Sequence, residues 1–147
     1  MTPGAAAAEF TGKISPVHYF WHTFDIAVTR FSDRRIEQLA EVDSVTREAY
    51  SHEVISSSFW FGDESYPTAA FYSYTAPEPA GLASEPLEPY AARWVERGPS
   101  HLAVLDYDAA RATCDVRAAV LTFYRSAYLA GARRAGWDIE ALTYRAP

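Results

Sequence analysis

The stretch SPVHYFWHTFDIAVTRFS, Ser15 to Ser32, constrains this chain more than any other. Tyr, Phe, Trp, Thr, Ile and Val dominate it, and such side chains suit a pleated surface and lose rotamer freedom in a helix. Pro16 stands just before the run, where a strand tolerates it. As a helix, the stretch would gather His18, His22 and Asp25 on one face, the H-x-x-x-H spacing of a metal-binding pair. As a strand, it alternates. His18, Phe20, His22, Phe24, Ile26, Val28 and Arg30 then share one side. Tyr19, Trp21, Thr23, Asp25, Ala27, Thr29 and Phe31 share the other. Composition favours the strand. At about 15 residues it exceeds the usual five or six, so a bend or bulge is expected. Residues four apart in a strand lie about 13 Å apart, so His18 and His22 cannot share one ion unless the strand bends.

Two more aromatic, alternating runs follow. EAYSHEVISSSFWFGDESYP reads as a second long strand closed by Gly62-Asp63, and TAAFYSYTAP as a third, ended by Pro77. Between the first and second lies the polar SDRRIEQLAEVDSVTRE, a loop or a single helical turn around Ile36, Leu39 and Ala40. The four prolines between Pro77 and Pro89 mark an ordered crossing rather than an element. YAARWVERG is predicted as a short helix stopped by Gly98, and HLAVLDYD as a short edge strand. The segment from Cys114 onward is the clearest helix. Asp115 is a good N-cap, Val116, Val120, Phe123, Ala127 and Ala130 make an apolar stripe, and Gly136 offers a stop. Strands followed by a helix predict an α+β domain, an antiparallel sheet of three to four long strands packed by a C-terminal helix. Residues 1–12 read as a flexible leader and 13–147 as one domain.

Several functions are disfavoured at this level. The net charge is −6 and no basic face is visible, which argues against nucleic acid. No apolar run approaches the ~20 residues of a membrane span, and the start lacks the basic region of a signal peptide. Cys114, the single cysteine, rules out an internal disulfide and suits a reducing cytoplasm. Beside a helix N-cap its thiolate would be favoured, although an isolated cysteine there is commonly inert. No phosphate-binding glycine loop and no nucleophile elbow is present.

In GKISPVHYFWHTFDIAVTRFS, REAYSHEVIS, AAFYSYTAPEP and the late AGWD, the chain resembles a bacterial family known as domain of unknown function 5996. The likeness runs from Gly12 to Asp138 and is to the C-terminal half of members about twice this length. It implies that a lone half pairs with itself, as a homodimer, to rebuild a larger sheet. Asp33, Phe61 and Asp106 stand where the family would place Gly, Pro and Pro. The family brings no assigned activity, so no catalytic residue transfers from it. A shortened relative of this kind fits recruitment into specialised biosynthesis.

The candidate chemistry rests on ionisable groups set among aromatics. Burying such groups is costly unless they are paired or used. The expected site has His18, His22 and His52 as proton carriers and Asp25 or Glu53 as their orienting carboxylate. Arg30 is the expected anion clamp. Tyr19, Tyr50, Tyr72 and Tyr74 would donate hydrogen bonds to a developing oxyanion, with Phe20, Trp21, Phe24 and Trp60 as walls. Such a pocket suits cofactor-free cyclisation, isomerisation or elimination on a hydrophobic small molecule. Two alternatives stay open: a non-catalytic small-molecule or protein binding module on the same aromatic face, and a metal enzyme built from two histidines and one carboxylate. The same side chains would also serve as a structural network, with Arg30 paired to Asp25 or Glu53.

Overall fold

A computed structural model of the chain describes residues 9–37, 44 and 52–143. Six strands form one sheet: β1 His18–Phe20, β2 Asp25–Arg35, β3 His52–Trp60, β4 Ala70–Ala76, β5 Arg93–Arg97 and β6 Ser100–Asp106. The order across the sheet is β1-β2-β3-β4-β6-β5, and each neighbouring pair is antiparallel. Helix α1 spans Tyr107–Arg111, α2 Val116–Ala135 and α3 Ile139–Leu142. The α+β class therefore stands, with six strands rather than three or four.

The founding aromatic run is extended, but it is not one strand. It reverses at Trp21–Phe24, so that His18 faces Ala27 and Phe20 faces Asp25. The turn is closed by the Thr23 amide donating to the Phe20 carbonyl at 3.2 Å. Phe24 takes the left-handed conformation at φ 59°. No Gly, Asn or Pro marks this turn, and the alternation of apolar side chains runs straight through it. The reversal changes which residues share a face. His18 and Phe20 now lie with Asp25 and Ala27 rather than opposite them. Further along, β2 shifts register between Phe31 and Arg35.

Two other expectations are corrected. Arg93–Arg97 is a strand, not a helix, joined to β6 by a tight turn in which Gly98 has φ 60°. Its alternation places Trp94 against the core under α2 and Val95 on the opposite face. Five residues are too few for periodicity to decide between the two states. Strand β6 lies inside the sheet between β4 and β5, so β5 is the edge. Phe10 is buried and bridges to Thr143. Of the proposed helical turn, Leu39 and Ala40 lie outside the described residues.

Helix α2 covers one face of the sheet. Asp115 caps it by accepting from the Ala118 amide at 2.9 Å, and Gly136 ends it in the left-handed conformation at φ 69°. Its buried side chains, Val120, Phe123, Tyr124 and Ala127, pack on Phe71, Ala103 and Leu105. Tyr124 donates to the Ser58 carbonyl at 2.7 Å, pinning the helix to β3. Small residues let the backbones approach. A Cβ at Gly131 would lie 2.1 Å from the Thr75 hydroxyl oxygen. A second core under α2 joins Phe10, Ile55, Tyr128, Ala132 and Trp137. No described helix is long and apolar enough to cross a membrane.

Candidate functional site

The sheet face away from α2 collects Asp25, Trp60, Tyr72 and Tyr74 of the expected site. Pairing of Ser58 with Tyr72 and of Ala27 with Ser58 sets alternate residues of β2, β3 and β4 on this side. Asp25, Ser56, Ser58, Trp60, Tyr72 and Tyr74 follow. The Tyr72 hydroxyl donates to Asp25 Oδ2 at 2.5 Å. Burial, then the adjacent Asp25 carboxylate, hold the Tyr72 phenol well above its usual range. The phenol therefore stays protonated and acts as a donor. A hydrogen bond from the Ser58 hydroxyl opposes that shift, and Ser58 in turn shares a 2.8 Å hydrogen bond with Ser56. The result is a line of hydroxyls, Ser56–Ser58–Tyr72, ending on a carboxylate.

Among the described residues, two buried polar atoms on this face have no hydrogen-bond partner: Asp25 Oδ1 and Trp60 Nε1. Ile26 pairs with Phe59, so the register brings Asp25 across from Trp60. The Trp60 ring packs on Tyr72 at 4.9 Å between centroids, with the Arg97 guanidinium 4.8 Å above it. Beyond Trp60, Tyr66 donates to Asp106 at 2.5 Å and also accepts from Arg93. Ser56, Ser58 and the Tyr66–Asp106–Arg93 cluster were missed in the sequence. The i, i+2 spacing of the serines inside a strand was the available signal.

The other expected residues are dispersed. His18 and His22 are exposed, on β1 and at the hairpin turn. His52 is half-buried, pairs across from Arg35 and packs edge-on against Phe31. The span along β2 from Ala27, opposite His18, to Arg35 puts these two imidazoles about 25 Å apart. They do not share a centre. Glu53 points to the α2 side, where it accepts from Trp137 Nε1 at 2.9 Å and pairs with Arg34 at 2.9 Å. Tyr19, Phe20, Trp21 and Phe24 are exposed on the hairpin rather than enclosing a pocket. Tyr50 lies outside the described residues. Among the described residues no group of three or more His, Cys, Asp or Glu side chains is placed to hold a metal ion.

Arg30 is buried on the helix side, at 4% exposure, and does not pair with Asp25, which faces the other way. Its guanidinium lies 4.6 Å from the Tyr128 ring centroid and 5.8 Å from that of Phe10. Burial lowers its pKa to about 10, so it keeps its charge at neutral pH. A cavity of about 220 Å³ opens beside it, between β2, α2, α3 and the segment around Phe10.

Comparison with curated proteins and with solved structures gives no match. A family model does match, across residues 5–144. The chain belongs to the family of unknown function DUF5996.

Proposed function

We propose that this protein is a small cofactor-independent enzyme, of cyclase, isomerase or lyase type, using acid–base chemistry on a hydrophobic metabolite. The observation that carries the reading is the Asp25 carboxylate. Its Oδ2 is fixed by the Tyr72 hydroxyl, while Oδ1 is buried and without a hydrogen-bond partner beside the Trp60 ring. An oriented carboxylate with one oxygen left unpaired among aromatics is the geometry of a general base. Asp25 takes a proton from an acidic C–H of the substrate and returns it elsewhere on the same molecule. Tyr72 holds the carboxylate in place and, with Ser58 and Ser56, links it to a chain of exchangeable protons. Trp60 supplies an apolar wall and an N–H for a substrate oxygen.

Proton abstraction is readable without knowing the natural substrate. Wild-type protein is incubated in D₂O with 2-tetralone, a β-keto ester and a β,γ-unsaturated ketone, and deuterium uptake is followed by mass spectrometry. Uptake above buffer is expected, abolished in Asp25→Asn and reduced about 10–100-fold in Tyr72→Phe. Unchanged uptake in Asp25→Asn, or none by the wild type across the panel, sinks the proposal.

The non-catalytic alternative, a small-molecule binding module, is favoured by the cavity beside Arg30. Self-association belongs to the same reading. Strand β1 is an edge, and Val17, Tyr19, Phe20, Trp21 and Phe24 beside it are exposed, an apolar surface that a second copy would cover. Sedimentation of the wild type and of Trp21→Ser tests it: a dimer that weakens on substitution supports it, and a wild-type monomer removes it. The exposed free thiol of Cys114 fits a reducing compartment such as the cytoplasm.

A further inference from the structure

We infer that the group the substrate presents to Asp25 is a hydroxyl, and that the substrate class is a hydrophobic α-hydroxy ketone. The inference rests on the reading of Asp25 as the base and names what that base recognises.

Two unmet hydrogen-bonding groups sit side by side. Asp25 Oδ1 is an acceptor and Trp60 Nε1 a donor. Both are buried, and among the described residues neither has a hydrogen-bond partner. The β2–β3 register sets the two residues across from each other on one face, where side chains start about 4.5–5.5 Å apart. Tyr72 holds both in place. Its hydroxyl donates to Asp25 Oδ2 at 2.5 Å, and its ring packs on the Trp60 indole at 4.9 Å. Buried polar groups are normally satisfied in folded proteins, so the pair calls for a partner.

The chemistry of the pair selects that partner. A ketone oxygen would accept from Trp60 and leave Asp25 bare. An ammonium group would donate to Asp25 and leave the indole N–H bare. A carboxylate would be repelled by Asp25. A hydroxyl accepts from Trp60 and donates to Asp25 with one oxygen. A base also needs an acidic C–H within reach. With a carbonyl next to it, the carbon bearing the hydroxyl supplies that hydrogen, which makes the ligand an α-hydroxy ketone.

The apolar body has a seat beside the pair. Phe20 stands across from Asp25 on its other side, on the same face, and is 49% exposed at the sheet edge. His18 packs on it at 6.0 Å between ring centroids. An exposed side chain at an edge changes rotamer rapidly, and that movement admits the hydroxyl to the covered oxygen.

Isothermal titration of the full chain with α-hydroxyacetophenone, α-fluoroacetophenone and acetophenone tests the assignment. Fluorine is close to hydroxyl in size and donates no hydrogen. The hydroxy ketone is expected to bind with a Kd on the order of 0.1–1 mM, and the other two about ten-fold more weakly. Asp25→Asn should narrow that gap several-fold, because a neutral amide accepts more weakly than a carboxylate. Trp60→Phe should weaken the hydroxy ketone several-fold. Phe20→Ala should weaken the hydroxy and fluoro ketones alike. Circular dichroism reports whether each variant is folded, and the wild-type ligand series decides where one is not. Equal binding of the hydroxy and fluoro ketones, no binding of the hydroxy ketone up to about 10 mM, or an unchanged gap in folded Asp25→Asn overturns the assignment. Deuterium uptake separates it from the base chemistry. Uptake that Asp25→Asn abolishes, with no hydroxyl preference, removes the hydroxyl and keeps the base. A hydroxyl preference without uptake keeps the hydroxyl site and removes the base.

Discussion

Replacing Gly131 with Ala sets two effects of opposite sign against each other. In an exposed helix interior the change would stabilise by about 1 kcal/mol, because Ala restricts the unfolded chain and Gly does not. Gly131, however, is buried where α2 crosses β4. A methyl there would lie 2.1 Å from Thr75 Oγ1, 3.0 Å from Ile55 Cδ1 and 3.3 Å from Thr75 Cβ. Rotating the Thr75 side chain does not clear the space, since its Cβ is itself too close and its methyl would swing toward the gap. Overpacking of this kind costs about 1–3 kcal/mol, enough to outweigh the propensity gain. The expected net is a loss of about 1–2 kcal/mol, read as a lower urea midpoint at unchanged slope and a Tm lower by about 2–8 °C. The contact itself is tested by a double-mutant cycle with Thr75→Ala. Truncating Thr75 removes the nearest atom, so the two changes should be non-additive by about 1 kcal/mol in the compensating direction. A Gly131→Ala protein more stable than wild type, or a strictly additive cycle, refutes the packing argument.

Tyr124→Phe should cost about 1–2 kcal/mol in urea unfolding, because the fully buried Ser58 carbonyl loses the 2.7 Å hydrogen bond from Tyr124. Glu53→Ala should destabilise by about 1 kcal/mol and alter the near-ultraviolet dichroism of Trp137, whose buried Nε1 donates to that carboxylate at 2.9 Å. Tyr66 is pushed up to about 12, first by burial and then by its hydrogen bond to Asp106. A raised folded-state value means its contribution is intact below the unfolded value near 10 and is lost as pH climbs from 10 toward 12. Stability should therefore fall across that window. Tyrosinate absorbance at 295 nm should show one tyrosine ionising at lower pH in Asp106→Ala than in the wild type, the part of the shift that comes from Asp106 being lost while the part from burial stays.

What the sequence determined by itself was local in origin. β-Branched and aromatic alternation specified β2, β3 and β4, because such side chains pack on a pleated surface in nearly any neighbourhood. Asp115, the apolar stripe and Gly136 specified α2 from start to stop, because caps act within one turn. The Asp25, Tyr72, Trp60 and Tyr74 grouping was also legible as a set of polar and aromatic residues in strands, although not as an arrangement.

Tertiary structure decided the rest. The hairpin at Trp21–Phe24 contains none of the residues that signal a turn, and only pairing of β1 on β2 reveals it. That reversal moved His18 to the face of Asp25 and left His18, His22 and His52 without a common centre. The strand identity of Arg93–Arg97 came from its pairing with β6, since five residues carry too little periodicity. Arg30 and Tyr128 are far apart in sequence and meet only because α2 packs back on the sheet. Proximity of that kind is set by how faces pack, and no short window of sequence encodes it.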